Sequence, residues 1–166
     1  MVNSPIIGMT DYISNFTVEQ FRSHVLDPEF LQTIIPGLSV EVDGPYANSV
    51  HIKVEEEINR DLLGTLKYPP SIQGELLFEN SEPNAWDFYV LHNTIMNKFE
   101  GRIRVKQVNQ SIKIGMYITA IEPKDLILED FDMDEIIAFI RIRIRILFQN
   151  IGTYAKIHSV LSDQKV

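Results

Sequence analysis

Apolar and polar residues alternate through the middle of the chain, from residue 38 to residue 122. The alternation is clearest at 50–54, 86–90, 99–105 and 112–118, where nearly every second side chain is apolar. A period of two is typical of β-strands whose two faces meet different environments. Such strands indicate an antiparallel sheet that another element covers on its apolar face.

Turn-forming sequences separate these strands and set their lengths. Residues 43–45, 81–84 and 109–110 combine Gly, Pro, Asn, Asp or Ser in the way that tight turns require. Residues 61–74 follow no regular pattern and contain two consecutive prolines. We predict a long loop around a short strand for this segment.

A first strand at residues 6–14 precedes a well-marked helix start. Thr17 and Gln20 have the spacing of a capping box, and Phe16 and Phe21 stand where a hydrophobic staple packs. The helix is predicted to run to about Leu26.

A second short helix begins at Asp27. The aspartate suits the N-cap, Pro28 the first helical position, and Glu29 the positive end of the helix. Pro36 and Gly37 then end the helical segment, and the strands follow.

Residues 133–161 form the one long segment with helical spacing after the strands, and they are predicted to cover the sheet. Asp132 and Glu135 suit a helix start. The alternating Arg-Ile run at 141–146 leaves a strand as the alternative, but helix-spaced apolar residues continue on both sides of it and favour a helix. No repeat or flexible linker interrupts the chain, so we predict a single domain over residues 1–166 of the α+β class.

The chain resembles START-like proteins, and most of all the branch that contains the polyketide cyclases and one of the subunits of carbon monoxide dehydrogenase. The resemblance lies in Asp-Pro-Glu-Phe-Leu at 27–31, Ile-Pro-Gly at 35–37, Phe-Glu-Gly at 99–101, the strand at 111–120 and the long final helix. It covers almost the whole chain. The abundance of isoleucine and the lack of cysteine are also similar to a small helix-grip family of thermoacidophilic archaea associated with fatty acid carriage.

The resemblance implies a helix-grip fold, in which an antiparallel sheet wraps around a long C-terminal helix and encloses an apolar cavity. Members of this superfamily bind lipids, sterols, polyketides or hormones, and some catalyse cyclisation inside the cavity. The implied partner of this chain is therefore a hydrophobic small molecule.

Composition excludes several other classes of function. The net charge of −8 disfavours binding to nucleic acid or to anionic membranes, since both require basic patches. Residues 1–11 lack the features of a signal peptide, and three arginines interrupt the most apolar stretch, at 136–151, so we expect no membrane insertion. The chain has no cysteine, which fits a reducing cytoplasm. We also expect a monomer or a small homo-oligomer, without a cofactor.

No metal site is expected. The four histidines show no metal-ligand spacing: His24, His51, His92 and His158. Asp130, Asp132 and Asp134 imitate the start of a calcium loop. Glu135 stands where that loop requires glycine, and Arg141 stands where it requires glutamate, so the acids are interpreted as helix-start residues.

The final helix carries the candidate binding site. At about 100° per residue one broad apolar face forms, consisting of Ile136, Phe139, Ile140, Ile144, Leu147 and Ile151. Arg143, Asn150 and Tyr154 fall within this face, whereas Arg141 and Arg145 point away. Arg143 either extends to water from the edge of the face or anchors a ligand carboxylate within the cavity, with Tyr154 or Asn150 as a second donor.

The strands supply candidates for the opposite wall of the cavity. Their inward positions are Trp86, Phe88, Phe99, Ile103, Met116 and Ile118. For each side chain alone, ordinary core packing is the alternative to ligand contact.

Three functional hypotheses remain open. The first, which we favour, is a non-catalytic carrier of a long-chain fatty acid or similar amphiphile, with no catalytic residues. The second is a cyclase or aromatase that uses buried polar groups as acid and base. The third is a protein-interaction module such as a chaperone cofactor, which would show a large exposed apolar patch.

Overall fold

A computed structural model describes residues 4–37, 39–57 and 71–163. Within these residues the seven strands form one antiparallel sheet, in the order β1-β7-β6-β5-β4-β3-β2. Along the chain the elements are β1 (Ile7–Ser14), α1 (Val18–His24), α2 (Pro28–Ile34), β2 (Ser39–Tyr46), β3 (Ser49–Glu57), β4 (Ser71–Glu82), β5 (Ala85–Asn93), β6 (Met96–Val108), β7 (Ser111–Pro123), α3 (Asp125–Leu128) and α4 (Met133–Asp163). The predicted α+β class and the long C-terminal helix are confirmed.

One predicted turn lies further along the chain than the sequence indicated. β2 continues through residues 43–45 to Tyr46, with an irregular register there, and the turn falls at Ala47, whose φ is 54°. β2 is the last strand of the sheet. Pro45 is tolerated in it because an edge strand does not need every backbone N–H for pairing.

For residues 61–74 the sequence predicted a long loop around a short strand, and the strand found there is longer and lies at the end of the segment. Residues 71–74 form the beginning of β4, where Gly74 pairs with Val54 of β3. The rest of that prediction, residues 61–70, lies outside the described residues.

The helix-start signals before the sheet are confirmed in detail. Thr17 Oγ1 accepts a hydrogen bond from the Gln20 N–H at 3.0 Å, and Gln20 Oε1 accepts one from the Thr17 N–H at 2.9 Å. The rings of Phe16 and Phe21 meet edge to face with centroids 6.3 Å apart. These contacts fix the direction in which α1 crosses the inner face of the sheet.

α2 also begins as the sequence indicated. Asp27 Oδ1 accepts from the Glu29 N–H at 3.2 Å, and Pro28 occupies the first turn. Ile35 adopts an extended conformation immediately before Pro36, because a proline disfavours the helical conformation in the residue that precedes it.

α4 is helical throughout, including residues 141–146, so the strand alternative is wrong there. Its start is capped reciprocally: Asp132 Oδ1 accepts from the Glu135 N–H at 2.8 Å, and Glu135 Oε1 accepts from the Asp132 N–H at 3.3 Å. The buried residues keep helical spacing and are Ile136, Ile140, Ile144, Phe148, Ile151 and Ala155. Phe148 and Ala155 belong to this face but were not predicted from the sequence. No helix in the described residues is long and apolar enough to cross a membrane.

The core lies between the sheet and the three helices α1, α2 and α4. Trp86 and Phe21 meet edge to face, with ring centroids 5.2 Å apart, and both are almost fully buried. A Cβ added at Gly101 would lie 2.5 Å from Phe88 Cζ and 2.5 Å from the Tyr117 carbonyl oxygen. The glycine at this position therefore allows Phe88 to pack directly on β6.

Candidate functional site

A cavity of about 280 Å³ lies between the inner face of the sheet and the helices. It is larger than the roughly 150 Å³ apolar cavity that suffices to hold benzene. Strands β3 to β7 form its floor, and α1, α2 and α4 form its roof. Its lining consists of Phe21, Val25, Leu31, Ile34, Ile35, Pro36, Ile52, Leu76, Phe78, Phe88, Asn93, Ile95, Met96, Phe99, Ile103, Met116, Phe139, Ile140, Arg143, Ile144, Leu147 and Ile151.

The lining changes character from one end to the other. Phe21 and Ile151 are each about 1% exposed, and Phe21 packs on Trp86 at the start of β5, whereas Asn93 ends that strand. Asn93 and Arg143, the two polar side chains among the described lining residues, are half-buried. The cavity therefore combines a dry apolar interior with polar groups that remain partly accessible to water.

Eight of the twelve site residues predicted from the sequence line this cavity. They are Phe88, Phe99, Ile103, Met116, Phe139, Ile140, Arg143 and Leu147. They come from β5, β6, β7 and α4, so folding brings both predicted walls together around one space.

Trp86 and Ile118 were predicted as wall residues but do not line the cavity. Trp86 packs against Phe21, and of the two only Phe21 lines the cavity. Ile118 pairs with Ile7 of β1, and both side chains are fully buried. Both residues face inward as predicted, but they fill the core beside the cavity.

Asn150 and Tyr154 also lie outside the lining. Asn150 Nδ2 donates to the Ile34 carbonyl oxygen at 2.9 Å. It thereby gives a hydrogen-bond partner to a carbonyl at the end of α2 that has none within the helix. The Tyr154 ring packs edge to face on Phe30 with centroids 4.7 Å apart, and its hydroxyl is 3.5 Å from His24 Nδ1. Burial, followed by nearby carboxylates, raises the pKa of Tyr154 above its ordinary value.

Arg143 lies where the roof of the cavity meets its polar end. Its Nη2 donates to the Pro36 carbonyl oxygen at 3.1 Å, across 107 residues of sequence. Arg141 and Arg145 are exposed, as the helical spacing predicted. The guanidinium thus lines the cavity and also binds the backbone of Pro36, in the segment that follows α2.

Several lining residues were not predicted from the sequence. Leu31, Ile34, Ile35 and Pro36 belong to the segment that carries the family resemblance, which was the available signal for them. Asn93 is the one missed polar residue within the described lining. The Asn-Thr pair at the end of this strand favours a turn, but it does not indicate that the asparagine faces the cavity.

Histidines far apart in the sequence come close together in the fold. The rings of His24 and His158 have centroids 5.7 Å apart, and the ring of Tyr154, one turn before His158 on α4, packs against both. Among residues 4–37, 39–57 and 71–163, no three His, Asp or Glu side chains are placed to hold a metal ion.

By sequence, no protein-family model matches the chain and no curated protein matches it. Solved structures match by fold. A protein of Thermus thermophilus superposes with a TM-score of 0.74 at 12% identity, covering 92% of this chain and 98% of that one. A START superfamily protein from Mycobacterium smegmatis gives 0.67 at 12% identity, with 90% and 96% covered.

An aromatase/cyclase, Zhui from Streptomyces sp. R1128, gives a TM-score of 0.64 at 10% identity and covers 90% of this chain and 92% of its own. The resemblance seen in the sequence is confirmed at the level of the fold. The chain has the helix-grip fold of START superfamily proteins and polyketide aromatase/cyclases, with its antiparallel sheet against a long C-terminal helix.

Proposed function

We propose that this chain binds a hydrophobic ligand, specifically a long-chain fatty acid, in the cavity beneath α4 and carries it in the cytoplasm unchanged. The observation that carries the proposal is the lining: twenty of its twenty-two described side chains are apolar, and the other two are one amide and one guanidinium. Sites for small molecules commonly have this composition, with a few polar groups that fix orientation.

The guanidinium supports an acid as the ligand. An arginine beside an apolar interior favours a ligand that has both an anionic group and a long apolar body. A carboxylate matches the planar fork of donors on Arg143. A guanidinium has five N–H donors, and one of them on Arg143 meets the Pro36 carbonyl.

The same lining favours carriage over cyclisation. Its polar groups are one amide and one guanidinium, and the described lining holds no carboxyl, imidazole or hydroxyl side chain. Such groups bind and orient a ligand, whereas general acid–base catalysis needs a group with a pKa near the working pH.

Native mass spectrometry of the protein as purified tests the proposal. We expect a fraction of the chains to carry one extra mass, and extraction followed by chromatography to identify it as a long-chain fatty acid. Incubation with excess myristate should convert the remainder to a one-to-one complex. The proposal is contradicted if no hydrophobic species is bound before or after incubation.

A further inference from the structure

Asn93 ends β5 and lies on the floor of the cavity. Gly74 on the neighbouring strand β4 has no side chain and leaves room for the asparagine amide. Asn93 pairs with Gly74, and a Cβ added to that glycine would lie 2.7 Å from Asn93 Nδ2. The amide therefore lies over the glycine, on the inner face of the sheet, and lines the cavity.

The orientation of the Asn93 amide is fixed by the backbone. Its Oδ1 accepts from the Ile95 N–H at 2.8 Å and from the Met96 N–H at 3.0 Å. Two backbone donors can face only the oxygen, so the NH₂ group must point the other way, towards Gly74 and the cavity. Nδ2 donates no hydrogen bond to another described residue.

Asn93 and Arg143 lie at the same end of the cavity, on opposite walls. Arg143 contacts Pro36, and a Cβ on the glycine that follows Pro36 would lie 3.0 Å from Val54 Cγ1. Val54 pairs with Gly74, which pairs with Asn93. Two strand spacings, about 10 Å, thus separate Asn93 from Val54, the strand position that lies against Gly37.

We propose that Asn93 is a head-group residue that donates to the ligand carboxylate from the floor while Arg143 donates from the roof. The inference rests on the proposed function and deepens it, since it assigns the ligand an anionic head at this end and a tail directed towards Phe21 and Ile151. An ionised carboxylate accepts on both oxygens, so donors on two walls hold it in one orientation. The sequence suggested Tyr154 or Asn150 on α4 as the second donor, and this inference assigns that role to Asn93 on β5 instead.

The substitution Asn93→Asp tests this assignment, because aspartate keeps an oxygen for the two backbone N–H groups and replaces the NH₂ donor with a negative charge. We expect the affinity for myristate to fall about tenfold or more through like-charge repulsion. The affinity for 1-tetradecanol should stay within about threefold, because an uncharged head meets no such repulsion. Affinities are measured by displacement of a fluorescent probe.

Asn84→Asp is the matched control. Asn84 is exposed in the turn at the opposite end of β5, and its replacement by aspartate adds the same negative charge. It should leave both affinities unchanged. The inference is overturned if Asn93→Asp binds myristate like the parent, if it loses both ligands equally, or if the control reproduces its effect. If the parent protein binds neither ligand, the proposed function is overturned together with this inference. If the parent binds both ligands and only the result for Asn93→Asp fails, the inference alone is overturned.

A second measurement needs no variant. In the parent protein, the side-chain NH₂ signals of Asn93 in ¹H–¹⁵N spectra should shift more on addition of myristate than on addition of 1-tetradecanol. Equal shifts with the two ligands would contradict a contact between this amide and the carboxylate.

Discussion

Myristate is expected to bind roughly a hundredfold more tightly than caprate, which has four fewer methylene groups. Each methylene moved from water into an apolar lining contributes about 0.8 kcal/mol, so four contribute about 3 kcal/mol. The side chains that would receive the tail are aliphatic or aromatic, and Phe21 and Ile151, towards which it would point, are almost fully buried. Isothermal titration with saturated acids of increasing length measures this dependence.

The gain per methylene should stop once the tail fills the cavity, because the cavity volume of about 280 Å³ is finite. A matched series of primary alcohols should show the same gain per methylene, since the tail alone sets it. Equal affinities for short and long acids would contradict binding of the tail inside the cavity.

Replacing Arg143 by methionine is expected to weaken myristate binding ten- to a hundredfold. Hydrogen bonds to a charged group contribute on the order of 1.5–3 kcal/mol, and methionine keeps an unbranched apolar stem in the cavity roof. The variant also loses the bond to the Pro36 carbonyl. Affinity for 1-tetradecanol separates the two effects, because loss of the Pro36 contact alone would weaken both ligands.

Arg141→Met and Arg145→Met are the controls, since both side chains are exposed on the outer face of the same helix. Each removes one positive charge, as Arg143→Met does, and each should bind myristate like the parent. If all three variants bind myristate equally well, the carboxylate does not use Arg143. The acid would then enter tail first and leave its head in water.

The sheet and the final helix were predictable because burial on one face imposes a period on the sequence. At residues 141–146 the period of two arises from arginines on the exposed side of α4 and on its edge, and it does not indicate a strand. The buried Ile140, Ile144 and Phe148 follow helical spacing through that run. The extent of β2 was not predictable, because whether Pro45 ends a strand depends on the strand lying at an edge of the sheet.

The site was predictable on α4 only in part, because that helix packs against two different partners. Its face towards the sheet lines the cavity through Arg143 and Leu147, whereas Asn150 contacts the end of α2 and Tyr154 packs on Phe30. Helical spacing places all four on one broad face. Only the positions of α1 and α2 decide which of them meet open space.

Asn93 was hidden by a β-bulge. The alternation that places Trp86 and Phe88 inward would place His92 inward as well. The pairing of β5 with β4 shifts by one residue at Leu91, so His92 faces outward beside Glu75 and Asn93 faces the cavity. A single extra residue reverses the face of every side chain after it, and the sequence alone does not reveal where it is inserted.

Filling the cavity with a larger side chain tests whether the ligand binds beneath α4. Leu76 on β4 lines the cavity, whereas Leu91 on β5 is 54% exposed and lies outside it. We predict that Leu76→Trp, if it melts cooperatively like the parent, loses at least about tenfold in myristate affinity, since the indole takes the space of several methylenes. Leu91→Trp should bind as the parent does. Unchanged binding by Leu76→Trp, or an equal loss in both variants, would show that the cavity beneath α4 is not the binding site.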